Sequence, residues 1–333
     1  MSFDFGIPEM PFDVHEGRYN VTALIAEGGT ARVFVCYDTQ TRAWRAIKLL
    51  LPEYAMRLDL RRRLITEATA MKRLDHPHIT KVFEAFEDDA NAYFVMEYAE
   101  RGSVGDWLKD NGPMPPAAAI EVTLQLCRAV AHAHVHGVVH RDIKPHNILV
   151  DGRGLCTVAD FGIAQVTFEE RLTKTGSALG TLGFIAPEQL DSAKHVDGRA
   201  DVYSIGATLY MLLVGSSPRD LFMYKAGDSL FETVPEELVD IIVRCTRHKR
   251  DERIADLPIL LDELEDAQNE LEPLDPHFAL LAAPQAPPIP QGLRGSAITP
   301  SRIGSMSTGR RLSRPPTFNV DGPVRTVKPK DDT

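Results

Sequence analysis

His140-Arg141-Asp142-Ile143-Lys144-Pro145-His146-Asn147, followed at once by Ile148-Leu149-Val150, is the stretch on which the reading of this chain turns. Pro145 lacks an amide hydrogen and disfavours helix, and the apolar run behind it has the length of a short buried strand. Asp142, Lys144 and Asn147 are therefore expected on a rigid loop that feeds a strand, a place that holds polar groups still while exposing them. An acid, a cation and a neutral oxygen ligand so close together suit phosphoryl transfer. Asp142 can orient a hydroxyl and accept its proton, Lys144 can balance developing phosphate charge, and Asn147 can ligate a divalent metal. Further on, Thr157-Val158-Ala159-Asp160-Phe161-Gly162 reads as another short strand ending in an acid. Asp160 supplies a hard oxygen ligand for the same metal.

Upstream, Val21–Ile25 and Arg32–Cys36 read as strands joined by the glycine-containing turn Glu27-Gly28-Gly29-Thr30. A third strand spans Arg45–Leu50, and two more are expected over Ile79–Phe86 and Tyr93–Glu97. Between them, Leu58–Leu74 is helical by period: Leu60, Leu64, Ala68, Met71 and Leu74 share one face. Glu67 falls inside that apolar stripe, and a buried carboxylate needs a partner. In Trp44-Arg45-Ala46-Ile47-Lys48-Leu49-Leu50, Lys48 shares a side with Ala46 and Leu50. The economical inference is a Lys48–Glu67 ion pair facing a cleft; the alternative is two solvated charges at a lobe surface.

From Ser103 onward the pattern is helical, with a long amphipathic stretch over Pro116–His136. Strands followed by helices point to an α+β chain with a sheet-rich lobe and a larger helical lobe, hinged near Glu97–Gly102. Residues 1–17 read as a leader, 18–271 as the two-lobed domain (18–97 and 102–271), and 272–333 as a disordered tail rich in Pro, Ser and Arg. Eleven of the 23 prolines follow Glu272. From Leu281 the tail has eight Lys/Arg against three Asp, so the remainder carries about −15 against −10 for all 333 residues. That balance gives no footprint for nucleic acid. Four scattered cysteines, no basic–apolar leader and no long apolar run point to a cytoplasmic protein without a membrane span. Ile205–Val214 fits a buried helix.

In order and spacing, Ala46-Ile47-Lys48, Glu67, His140-Arg141-Asp142, Asn147, Asp160-Phe161-Gly162 and Ala186-Pro187-Glu188 resemble the eukaryotic-like protein kinases, bacterial members included. The resemblance runs from about Tyr19 to about Glu270. It implies a two-lobed kinase fold, with an antiparallel N-lobe sheet carrying one helix and a mainly helical C-lobe. It also implies ATP with Mg²⁺ (Mn²⁺ as substitute) and transfer of the γ-phosphoryl group to Ser/Thr hydroxyls of proteins. In that family Lys48, Glu67, Asp142 and Lys144 would be catalytic, and Asn147 and Asp160 would hold the metal. Ile25, Gly28, Val33, Ala46, Lys48, Met96, Glu97 and Ala99 would surround the nucleotide. Thr181 resembles the threonine that bonds the catalytic aspartate and lysine in the serine/threonine class. Asp201 resembles the aspartate that anchors the catalytic loop, and Glu188 and Arg253 the ion pair that ties the activation segment down.

One departure stands out: Ala26 and Ala31 occupy the outer positions of a loop that usually carries three glycines, and only Gly28 remains. An extended hairpin tolerates alanine at negative φ, so a modest effect on nucleotide affinity is expected. The resemblance implies that Arg141 pairs with a phosphate on the activation segment, where Thr173, Thr175 and Ser177 are the candidate sites and autophosphorylation at Thr173 or Thr175 is expected; the alternative is polar loop filler. The tail reads as linker, with docking of a proline-binding or acidic partner as the alternative. His132, His134 and His136 read as packed or surface histidines, since only two share a face. The competing functions are a catalytically weak pseudokinase or scaffold that binds nucleotide and partners, and a small-molecule kinase of related fold.

Overall fold

The computed structural model describes Val14 and residues 17–87, 91–161, 182–191 and 196–273. By backbone contact the chain divides into two units, Met1–Pro290 and Gln291–Thr333; the second lies wholly outside the described residues. Within the first, five strands form one antiparallel sheet in the order β1-β2-β3-β5-β4. They are β1 (Tyr19–Glu27), β2 (Ala31–Asp38), β3 (Ala43–Leu50), β4 (Val82–Glu87) and β5 (Ala92–Glu97).

Strand alternation decides which side chains face the site. Phe34, Cys36, Ile47, Leu49, Tyr93 and Val95 pack into a small outer cluster. Their neighbours Ala46, Leu50, Phe94 and Met96 join the main core on the other face. Lys48, two residues from each of Ala46 and Leu50, belongs to that second face. Helix α1 (Pro52–Ala55), a single turn with proline in its first position, leads into α2 (Leu58–Arg73). Leu60, Leu64, Ala68 and Met71 of α2 are buried, and so is Glu67, at 3% exposure.

Strand β4 starts at Val82 rather than at Ile79, where the sequence pattern begins. Ile79 instead makes a lone parallel bridge to Val158, and Thr80 and His78 exchange backbone hydrogen bonds with Val158. The cause is local: these residues hydrogen-bond with Val158 instead, so they cannot extend the sheet.

The helical part comprises α3 (Val104–Asn111), α4 (Pro116–Val135), α5 (Pro187–Asp191), α6 (Arg199–Val214), α7 (Glu236–Cys245) and α8 (Leu257–Glu270). Ser103 and Asp106 close a reciprocal capping box at the start of α3. Helix α4 packs against α6 and α8, and α7 against the same two. Helix α6 is buried nearly all round and stops at Gly215, which adopts the left-handed conformation at φ 75°. The apolar run Ile205–Val214 is thus a core helix. No helix among the described residues is long and apolar enough to cross a membrane.

Between the two parts lies a two-stranded hairpin, β6 (Ile148–Val150) and β7 (Cys156–Val158), with Ile148 opposite Val158. The linking segment is tied to it. Arg101 N–H donates to the Val150 carbonyl at 3.1 Å, and Val150 N–H donates to that of Gly102 at 2.9 Å.

Candidate active site

The loop before β6 carries a compact polar network. Pro145 opens a short 3-10 turn, Pro145–Asn147, which delivers Asn147 beside Asp142. Asn147 Nδ2 donates to the Asp142 carbonyl at 2.7 Å and to its Oδ2 at 3.1 Å. Lys144 Nζ approaches both carboxylate oxygens of Asp142, at 3.2 and 3.1 Å. Asp142, Lys144 and Asn147 therefore form one hydrogen-bonded group. With its NH₂ committed to Asp142, Asn147 keeps its amide oxygen for another partner.

Beneath the loop, fully buried Asp201 of α6 works as a three-way acceptor. His140 N–H and Arg141 N–H donate to its two oxygens at 2.8 Å each, and His134 Nε2 donates at 2.7 Å. His134 must be the donor there, since a carboxylate only accepts. The sequence pointed to Asp201 but gave no role to His134. Ring burial lowers the pKa of His140, whose Nε2 donates to the Ala159 carbonyl at 3.1 Å. Its ring also lies 4.5 Å from that of buried Phe161.

Asp160 follows β7 in the left-handed region, at φ 57°, which turns its side chain back toward the sheet. There Lys48 Nζ meets Asp160 Oδ1 at 2.7 Å and Glu67 Oε1 at 3.8 Å. Lys48 thus pairs with two carboxylates, and only the Asp160 contact is short enough for a hydrogen bond. Glu67 Oε1 is buried without a hydrogen-bond partner. Burial alone would lower the Lys48 pKa, but Asp160 and then Glu67 hold it above the usual lysine value. Burial pushes the Glu67 carboxyl up; Lys48 opposes the shift, while Asp160 and Asp142 add to it.

Around the sheet, Val33 lies opposite Lys48, and Ala46 opposite Val35 and Met96. Ala46 and Met96 are buried, Val33 and Ala99 half-buried, and Ile25 and Glu97 exposed. Gly28 N–H donates to the Ala31 carbonyl at 2.8 Å and closes the β1–β2 turn. Ala26 and Ala31 both lie in paired strands, and neither has a positive φ. The two alanines therefore sit where a methyl group costs no backbone strain. Gly162, Thr173, Thr175, Ser177 and Thr181 lie outside the described residues.

At the far end of the 162–181 interval, α5 is fastened to the helical core. Arg253, its side chain fully enclosed, donates to both oxygens of Glu188 at 2.7 Å and to the carbonyls of Arg247, Arg199 and His248. Gln189, which the sequence did not single out, donates from Nε2 to the Arg141 carbonyl at 3.0 Å. A lone glutamine after Ala-Pro-Glu carries no periodic or compositional signal, so only the folded chain reveals that contact.

Among the described residues no group of three or more His, Cys, Asp or Glu side chains is arranged to hold a metal. Asn147 and Asp160 offer an amide oxygen and a carboxylate, the hard donors Mg²⁺ prefers, and Mg²⁺ is usually held by few protein ligands together with phosphate oxygens. The His132 and His136 rings lie tilted against each other at 4.4 Å between centroids, and His76 approaches His132 at 5.1 Å.

Residues 19–264 match the protein kinase domain. The serine/threonine-protein kinase PrkC of Bacillus subtilis is 39% identical over 204 residues, covering 61% of this chain and 31% of PrkC. PknL of Mycobacterium tuberculosis, also a serine/threonine-protein kinase, is 32% identical over 268 residues, covering 77% of this chain and 67% of PknL. The crystal structure of the Mycobacterium tuberculosis PknI kinase domain, in a point-mutant form, aligns with a TM-score of 0.61 at 25% identity. It covers 76% of this chain and 96% of that one. Of the first two curated relatives the chain spans less than half the length, 31% and 43%.

Proposed function

Because this chain belongs to the protein kinase family, among its bacterial-type serine/threonine members, we propose that it transfers the γ-phosphoryl group of ATP to serine and threonine hydroxyls of proteins. The observation that carries the proposal is the Asp142–Lys144–Asn147 group, held on a loop that Asp201 anchors from below. In this reading Asp142 is the group that aims a substrate hydroxyl and takes its proton. Lys144, already paired with it, offsets charge on the phosphoryl group in transit. Lys48 orients the nucleotide phosphates, and Glu67 restrains Lys48 from the α2 side. Asn147 and Asp160 would hold Mg²⁺, which supplies neutralising charge at the phosphates when bound. Ile25, Gly28, Val33, Ala46, Met96, Glu97 and Ala99 would line the nucleotide, and Thr181 would position the substrate.

We place residues 18–271 as the catalytic domain and the chain in the cytoplasm. The four cysteines, all free and buried, support a reducing compartment. Burial raises the pKa values of their thiols, so none is set up as a nucleophile. The tail is a basic, proline-rich segment suited to a docking partner. No observation favours a pseudokinase, since each position expected to carry charge at the site is filled.

Phosphosite mapping of the purified protein incubated with ATP and Mg²⁺ tests the proposal. Phosphoserine and phosphothreonine, with Thr173 or Thr175 among them, are expected. Transfer to a sugar or an antibiotic with none to protein would defeat it.

A further inference from the structure

The peptide unit that presents Asp142 is pinned at every polar group. Arg141 stands at φ 67°, a conformation that long L side chains rarely adopt. Its N–H is held by Asp201 Oδ1 at 2.8 Å. The following N–H, that of Asp142, donates to His140 Nδ1 at 3.2 Å. That nitrogen can accept because Nε2 of the same ring carries the proton donated to the Ala159 carbonyl. What is left is the Arg141 carbonyl, and Gln189 Nε2 donates to it at 3.0 Å.

Gln189 lies on α5, across the 162–181 interval from the catalytic loop. Its Oε1 accepts from the Ala186 N–H at 3.3 Å, so one end of the amide faces a donor and the other an acceptor. This polarity fixes the amide's orientation. Helix α5 is itself clamped through Glu188 to the enclosed Arg253. Arg253 thus holds α5 through Glu188, and the next residue along, Gln189, bonds the peptide unit that carries Asp142.

We propose that Gln189 is a positioning residue for phosphoryl transfer: its amide holds the Arg141 carbonyl and so makes the aim of Asp142 depend on the docking of α5. The inference rests on the kinase reading above. It differs from a capping role for Gln189, which needs only the acceptor facing Ala186. Gln189→Glu separates the two, because a carboxylate keeps that acceptor and the shape but loses the donor to Arg141.

The experiment measures kcat and the KM for ATP of wild type, Gln189→Glu and Gln189→Ala at pH 8, with melting temperatures alongside. At pH 8 the Glu variant is expected to lose roughly tenfold in kcat, the value of one hydrogen bond, with KM for ATP little changed. The Ala variant, which loses the same donor, is expected to show a similar deficit in kcat. Should the Ala variant fail to fold, the Glu variant at pH 8 alone decides. A Glu variant as active as wild type at pH 8 overturns the inference while leaving the kinase reading intact. An inactive wild type would overturn both.

Discussion

Asp201→Asn probes how far the His140–Asn147 loop depends on one buried carboxylate. Asp201 Oδ2 accepts from His140 N–H and His134 Nε2, and Oδ1 accepts from Arg141 N–H. Asparagine can present its oxygen to only one side. Keeping it toward His140 and His134 turns the NH₂ against the Arg141 N–H, donor to donor. The orphaned donor costs about 1–3 kcal/mol, and each retained bond loses about 0.5–1 kcal/mol in passing from a charged to a neutral acceptor. The total comes to about 3 kcal/mol. For a domain of this size that is a fall of roughly 6–12 °C in melting temperature. Arg141 would then lose the support for its left-handed backbone, so kcat is expected to fall roughly tenfold to a hundredfold through misaimed Asp142. Thermal unfolding and steady-state phosphotransfer on the same preparation measure both. A variant that melts within about 2 °C of wild type and keeps at least half its activity would refute the reasoning.

Glycine substitutions should sort by what a new methyl group meets. At Gly28 it would lie 3.4 Å from the Ala31 carbonyl, an ordinary contact without a positive φ, so Gly28→Ala should change the KM for ATP by less than about threefold. At Gly183 it would collide with the Pro218 carbonyl oxygen, which is backbone and cannot swing aside; Gly183→Ala should destabilise by about 3 kcal/mol or more, read by urea unfolding. Glu67 gives a pH signature. Burial raises its carboxyl from 4.5 to about 7, so across that window the folded protein keeps a proton that the unfolded chain has released. Its contribution is complete below the lower value and is lost as pH rises through the window. Glu67→Gln should therefore gain stability relative to wild type between pH 5 and pH 8 while losing activity; a stability difference that stays flat would show Glu67 ionised throughout.

The parts of the site that were legible in the sequence are those where residue type conflicts with local pattern. Glu67 inside an apolar stripe, and Asp142, Lys144 and Asn147 around a helix-breaking Pro145, each demand a reason that the local pattern alone does not supply. The two-lobed order followed from the change of period near Ser103, and five paired strands over a helical lobe are what the chain forms. What escaped depends on contacts between distant residues. The short Lys48–Asp160 contact needs a left-handed turn at Asp160 that no side-chain pattern announces. His134 alternates with two other histidines, and only helix packing against α6 shows that it alone of the three meets Asp201. The single turn Pro52–Ala55 is too short for a periodic signal, although Tyr54 and Ala55 are buried.

The central claim is that Asp142, set by Lys144 and Asn147, is the group on which phosphoryl transfer depends. Its most direct test is γ-phosphoryl transfer from ATP to a protein substrate by wild type and by Asp142→Asn, each shown to be folded. The substitution leaves shape and size intact while removing the negative charge and the proton acceptor. Wild type is expected to transfer phosphate to serine or threonine, with the variant at least about a hundredfold slower, the span assigned to a positioned general base. Equal rates in the two proteins, whether both active or both inactive, would contradict the account.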